Sequence, residues 1–225
     1  MSFVVAIDGP AGSGKGTITK IVGKKMNLIN IDTGAMYRCA SLYMIRNNIK
    51  FDDIERIKDM LSSINIEFKN QDDEEKVFLN GEDVTKNIRE KAVNEIVSQV
   101  SHIPIIRENM SRLQRQMGLK TDVIMEGRDI GTNVFPDADV KIYLDASAEE
   151  RANRRLKQNK EKGIDLSYDD VLKNILFRDN NDKTSDVAPL KQADDAVYLD
   201  STHLTIEEVC EKIIDIIKEK KMTKK

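Results

Sequence analysis

FVVAIDGPAGSGKGT, residues 3–17, decides the architecture. Its first five residues are an unbroken apolar run, the length and texture of a strand buried on both faces of a sheet. The chain then enters Asp8-Gly9-Pro10-Ala11-Gly12-Ser13-Gly14-Lys15-Gly16-Thr17, with GxxxxGK at 9–15. Glycines without Cβ atoms let successive backbone N–H groups turn inward onto phosphate oxygens. The helix predicted after them adds the positive end of its dipole. Lys15 supplies a mobile point charge for the outer phosphates of a nucleoside triphosphate. The alternative for such a stretch is a glycine-rich turn without a ligand. The strand before it and the helix after it favour the phosphate loop, formed by Gly9, Pro10, Ala11, Gly12, Ser13, Gly14, Lys15, Gly16 and Thr17. One departure is local: Gly16 follows the lysine, and the hydroxyl comes one place later at Thr17.

Working outward, four more apolar runs read as strands, at 28–31, 122–125, 140–144 and 196–199. Helical stretches separate them, which predicts an α/β chain with a P-loop NTPase-type five-stranded parallel sheet flanked by helices. Helix starts are marked by Ser147 with Glu150, Ser167 with Asp170, Thr205 with Glu208, and Pro104. Gly163 and Gly118 are expected to end helices. The last helix presents Val209, Ile213, Ile216 and Ile217 on one face. Residues 62–87 break the rhythm with short runs separated by an acidic turn at 72–75 and by Asn80-Gly81, a strong hairpin signal. They predict a small antiparallel β subdomain. Residues 147–186, two helices rich in Arg and Lys, read as a lid. The expected organisation is one domain, 1–225, with core segments 1–61, 88–146 and 187–225, the β insert at 62–87 and the lid at 147–186. The Lys-rich end, 218–225, is expected to fray.

Composition narrows the function. The chain has 225 residues, 40% hydrophobic and 33% charged, with a net charge of -3. That is globular, and it lacks the basic footprint of a nucleic-acid binder. No apolar run reaches membrane length, and no basic segment precedes the first one, so neither an anchor nor a signal peptide is expected. Two cysteines far apart argue against a disulfide framework and for a reducing compartment. Only two histidines, His102 and His203, are present, and without a Cys or His cluster a zinc site is not expected.

In open α/β sheets ligands bind beyond the carboxyl ends of the strands. There the sequence places DTGAMYR at 32–38, EGRDIGT at 126–132, and Asp200-Ser201-Thr202. Arg38, Arg128 and Arg178 could each be ordinary surface ion pairs. Arginines adjoining Asp-Thr-Gly and Gly-Arg-Asp turns at strand ends instead favour phosphate binding.

The chain closely resembles the bacterial cytidylate kinases, over almost its whole length. The resemblance rests on IDGPAGSGKGT at 7–17, IDTGAMYR at 31–38, VFLNGEDVT at 77–85, SQV with Pro104 and Arg107, EGRDIGTNVFPDADVKIYLDAS at 126–147, RDNND at 178–182 and APL at 188–190. The GKGT form of the loop belongs to nucleoside monophosphate kinases, so Gly16 fits it. The resemblance implies ATP-dependent phosphorylation of CMP and dCMP. Gly12, Gly14, Lys15, Gly16 and Thr17 would hold ATP phosphates and Mg²⁺, with Thr17 as the metal ligand. Thr33, Arg38 and Arg128 would hold CMP, the arginines near its phosphate. Ser98, Arg107 and Asp129 would read cytosine; alone, Ser98 would be an ordinary helix residue and Asp129 a turn cap. Arg178 and Asp182 would reach the acceptor's sugar and phosphate. Family members often carry Arg three residues after that aspartate; here Ser185 stands instead, without that charge. With Lys15 and Mg²⁺, the lid residues Arg151 and Arg155 are candidates to neutralise the transferring group. A monomer in the cytoplasm is expected, acting on small nucleotides without nucleic acid or membrane. The alternatives are a kinase for AMP, UMP or shikimate, and a GTP switch protein. The latter lacks its DxxG and NKxD motifs; NKEK at 159–162 is the nearest match.

Overall fold

The structure is a computed structural model that describes residues 2–71, 74–161, 163–185 and 187–223. Part of the expected acidic turn, Asp72 and Asp73, and the last two residues of the Lys-rich end lie outside the described residues. The elements are, in order, β1 (Val4–Asp8), α1 (Lys15–Met26), β2 (Ile29–Asp32), α2 (Thr33–Arg46), α3 (Ile54–Ser63), β3 (Ile66–Gln71), β4 (Glu74–Leu79), β5 (Glu82–Asp83), α4 (Lys91–Ser101), α5 (Pro104–Lys120), β6 (Val123–Gly127), β7 (Val140–Asp145), α6 (Ala148–Glu161), α7 (Tyr168–Lys183), β8 (Val197–Asp200) and α8 (Ile206–Thr223). A 3-10 turn at Asn87–Arg89 and a π-helical turn at Ile130–Val134 complete them. The chain divides into two compact units, one built from residues 1–30 and 118–225, the other from 31–117.

The first unit carries the five-stranded sheet, in the order β2-β6-β1-β7-β8. β1 runs parallel to both β6 and β7, with Asp8 opposite Gly127 on one side and Tyr143 on the other. All five residues of β1 are buried, as the continuous apolar run requires, whereas the edge strand β8 is largely exposed. Asp122 and Asp139 accept the backbone N–H groups of Phe3 and Val4 at 2.8 Å each, which satisfies the open end of the central strand. One face of the sheet is closed by α1 and α8, where Ile18 and Val22 meet Val209, Ile213 and Ile217. The face of α8 is wider than its sequence stripe, because Cys210 and Ile214 are buried in the same cluster and Ile216 only partly.

Helix ends follow the expected caps. Thr205 and Glu208 form a reciprocal box, at 2.8 and 3.2 Å. Ser147 accepts from Glu150 N, but the Glu150 carboxylate turns to Arg154 instead of closing its box. Gly163, at φ +70°, follows the end of α6. The expectation that Gly118 ends a helix is corrected: α5 continues to Lys120. A Cβ on residue 118 would stand 2.5 Å from the Phe135 ring, so this glycine admits an aromatic neighbour and does not stop the helix.

The second unit, described by itself, contains α2, α3, α4 and the antiparallel sheet β3-β4-β5. Asn80 (φ 50°) and Gly81 (φ 85°) are both left-handed, the backbone of a type I′ turn, which sets Leu79 of β4 opposite Glu82 of β5. α2 packs on α4, with Met36, Cys39 and Met44 buried along it. Among the described residues, no helix is long and apolar enough to cross a membrane.

Candidate active site

The carboxyl end of β1 feeds directly into the phosphate loop. Gly9, Gly12 and Gly14 all have positive φ. At Gly9, φ is +153° and a Cβ would lie 2.0 Å from the Leu144 carbonyl oxygen, so glycine is obligatory where the loop leaves the sheet. Lys15 opens α1 and folds back beneath the loop. Its Nζ donates to Gly9 O and Pro10 O at 2.8 Å each and to Ser13 Oγ at 3.3 Å. The side chain is buried, and burial, reinforced by the nearby Arg128 charge, pushes its pKa down to about 7. Glu126, Asp8 and Asp182 pull in the other direction.

Glu126, at the end of β6, is a residue that sequence reasoning missed. A Cβ on Gly16 would stand 2.9 Å from its Oε1, so the carboxylate lies against the first turn of α1. That contact accounts for glycine directly after Lys15. The signal was available: a carboxylate closes an apolar strand, and the phosphate loop lacks a side chain where its commoner form carries a hydroxyl.

After β6 come Arg128 and Asp129. Arg128 Nε donates to Asp182 Oδ2 at 2.8 Å, which joins two residues expected to serve the acceptor. Asp129 is buried, accepts Asn133 Nδ2 at 2.9 Å and heads the π-helical turn. Arg178 is exposed on α7.

The lid arginines separate by partner. Arg151 is buried. It holds Asp179 through two contacts of 3.0 and 2.6 Å, and donates to Ala146 O at 2.9 Å and Ala11 O at 3.1 Å. This residue, named in the sequence as a stabiliser of the transferring group, is committed to tying α7 and the phosphate loop to α6. Arg154, not singled out in the sequence, reaches the loop at Ser13 O (3.4 Å) and holds Ser201 O at 2.6 Å after β8. Arg155 is half-buried, burial lowers its pKa, and among the described residues no carboxylate pairs with it.

In the second unit, Thr33 is buried at the start of α2, which Asp32 caps by accepting Ala35 N at 2.9 Å. Arg38 donates to Asn94 Oδ1 on α4. The Arg107 guanidinium lies 5.9 Å from the Tyr37 ring centroid and donates to Ser101 O at 3.3 Å. Ser98 is exposed on α4, and its carbonyl accepts His102 Nδ1 at 2.6 Å and Ser101 Oγ at 2.8 Å. Tyr37 and Arg107 thus bring α2 and α5 to one place.

A family model described as cytidylate kinase matches residues 5–219. The chain is 51% identical over 208 residues to a cytidylate kinase of Fusobacterium nucleatum, covering 92% of this chain and 94% of that one. It is 48% identical over 212 residues to one from Caldicellulosiruptor saccharolyticus (94% of each chain). A third, from Lactobacillus johnsonii, is 50% identical over 216 residues, 96% of this chain and 94% of that one. Among solved structures, an uncharacterized protein from Eubacterium ventriosum aligns over 96% of this chain and 99% of its own, with a TM-score of 0.53 at 10% identity; that likeness is of fold alone.

Proposed function

The chain belongs to the cytidylate kinase family, and from that premise we propose that it transfers the terminal phosphoryl group of ATP to CMP and dCMP, giving CDP and dCDP. The observation that carries the reading is the pairing of a lysine-bearing phosphate loop on β1 with an Arg128–Asp129 turn on the adjacent β6, both at the carboxyl edge of one sheet. The nucleophile is a phosphate oxygen of CMP, already ionised, so no general base is needed. Transfer requires alignment and charge neutralisation.

In this reading the glycine-rich loop wraps the ATP phosphates, and Lys15 exchanges its loop carbonyls for phosphate oxygens. Thr33, Arg38 and Arg128 hold CMP, with Arg178 and Asp182 reaching it from α7. Ser98, Arg107 and Asp129 read the base. Arg155, which pairs with no carboxylate among the described residues, is the better lid cation, and Arg151 acts by holding the lid helices to the loop. Mg²⁺ fits the chemistry present. Thr17 offers a hydroxyl, and the Glu126 carboxylate stands against the same helical turn. That is the small oxygen set expected for an ion carried mainly by phosphates. When bound, the ion would neutralise charge on the phosphates. Residues 147–186 close as a lid and exclude water, and the β insert at 62–87 serves the acceptor. The enzyme works as a cytoplasmic monomer on small nucleotides, without nucleic acid or membrane; two buried free cysteines fit a reducing compartment.

The test is a coupled ADP-release assay with MgATP across CMP, dCMP, UMP, AMP, GMP and shikimate. CMP and dCMP should far exceed AMP and GMP, because polar groups built for one base are left unpaired by another. Equal turnover of AMP and CMP would overturn the assignment of acceptor.

A further inference from the structure

We propose that Asp8 is a positioning residue for recognition of the acceptor base: its carboxylate caps the turn after β6, so that the carboxylate of Asp129 is not spent there. The proposal deepens the reading above and rests on it.

Asp8 closes β1, one residue before the phosphate loop. Its side chain is 5% exposed, a cost for a carboxylate that needs a compensating contact. Two contacts answer it. Oδ1 accepts Ile130 N at 2.8 Å and Oδ2 accepts Gly131 N at 2.7 Å. These are successive N–H groups at the start of the Ile130–Val134 turn, the groups that have no partner inside a helix.

An aspartate heading a helical turn normally spends its own carboxylate on those groups. Asp129 stands at that position and makes no such bond. Instead its Oδ2 accepts Asn133 Nδ2, one turn on. The two carboxylates have divided the work: Asp8 caps the turn from a neighbouring strand, and Asp129 is braced by Asn133 and not bound to the turn's first N–H groups. A carboxylate is the side chain that does this, since two convergent N–H donors need two acceptor oxygens. Asparagine would present an NH₂ group to one of them. Burial raises the Asp8 pKa to about 6; the Gly131 and Ile130 N–H groups oppose that rise, and the nearby Asp129 carboxylate adds to it. Placing two carboxylates so close works against stability, as is expected where function sets the arrangement.

The experiment is steady-state kinetics with MgATP and either CMP or UMP, for wild type, Asp8→Asn, Asp129→Ala and the double variant. Asp8→Asn should reduce the CMP-over-UMP ratio of kcat/KM by about tenfold, the effect of misplacing one charged hydrogen bond. The KM for ATP should stay within about twofold. In the Asp129→Ala background the same substitution should change the ratio less than about twofold, because it acts through Asp129. Partial unfolding cannot imitate this, since both substrates see the same active fraction. An unchanged ratio in Asp8→Asn, or full additivity in the double variant, overturns the proposal. Should Asp8→Asn fail to fold, amide exchange on the wild type decides. The Ile130 and Gly131 amides must be protected before nucleotide is added, and rapid exchange there overturns the pre-formed cap. A wild type inactive on CMP would defeat the functional reading itself, and the base-reading role with it, whatever those amides do.

Discussion

Lys15→Met should separate the catalytic and structural consequences of one buried charge. Its ammonium sits among loop carbonyls, with a pKa lowered from 10.5 to about 7 chiefly by burial. Between those two values the unfolded chain binds more protons than the folded one, so wild-type stability must rise with pH across that window. Below about pH 7 the penalty is fully present, and above about 10.5 it is gone. Integrating one proton over pH 7 to 9 gives a gain of about 2 kcal/mol. Lys15→Met has no such group, so the difference between wild-type and mutant unfolding free energies should climb by that amount. The mutant should also lose at least about a hundredfold in kcat, since a preorganised charge at the transferring group is worth ~3 kcal/mol or more. The assay is urea unfolding at pH 7, 8 and 9 for both proteins, with kcat at saturating CMP and ATP. Parallel stability curves would refute the reasoning, because they would mean that Lys15 titrates as a solvated lysine. Weakened CMP affinity with kcat intact would refute its assignment to the donor.

Asp179→Ala should destabilise the protein by about 3–5 kcal/mol, because it leaves the buried Arg151 charge without its carboxylate. The Arg151→Met/Asp179→Leu pair should recover most of that in urea melts, and a failure to recover would show that Arg151 matters through its bonds to Ala11 and Ala146. At the family departure, Ser185 is engaged locally, its Oγ donating to Val187 O at 2.9 Å, so it replaces no arginine contact. Lys183 is exposed at the end of α7, and Lys183 compensating for the missing arginine is the hypothesis to test. Lys183→Ala should raise the CMP KM several-fold, with Ser185→Arg restoring most of the loss in the double mutant. A silent Lys183→Ala would remove lysine compensation from consideration.

What was legible in the sequence was local. The phosphate loop could be read because strand, glycines and lysine are contiguous. The strands at 3–7 and 140–144 lie within a residue of β1 and β7, since a fully buried strand writes itself as an apolar run. What escaped depends on distant partners. Gly118 reads as a helix stop until Phe135 is seen packed on it. Arg151, Arg154 and Arg155 share one helix and one charge. Only packing shows that the first is committed to Asp179, the second to Ser201, and the third, among the described residues, to no carboxylate. Asp8 and Glu126 each close an apolar strand, a pattern that marks them as unusual without saying what they hold.

The first unit is built from two separated stretches of chain, and this bears on how the protein is made. β1 leaves the ribosome well before either of its sheet neighbours, β6 and β7; Phe3 and Asp122 bond across 119 residues. At ~5–20 residues per second, β1 waits roughly 6–24 s for β6 to be synthesised. Residues 31–117 are continuous and can collapse during that delay. The nascent chain therefore carries an unpaired strand, every residue of which is buried in the finished protein. This is the interval in which it is most exposed to aggregation and to chaperone capture, and non-local pairing of this kind makes closure of the sheet a slow step.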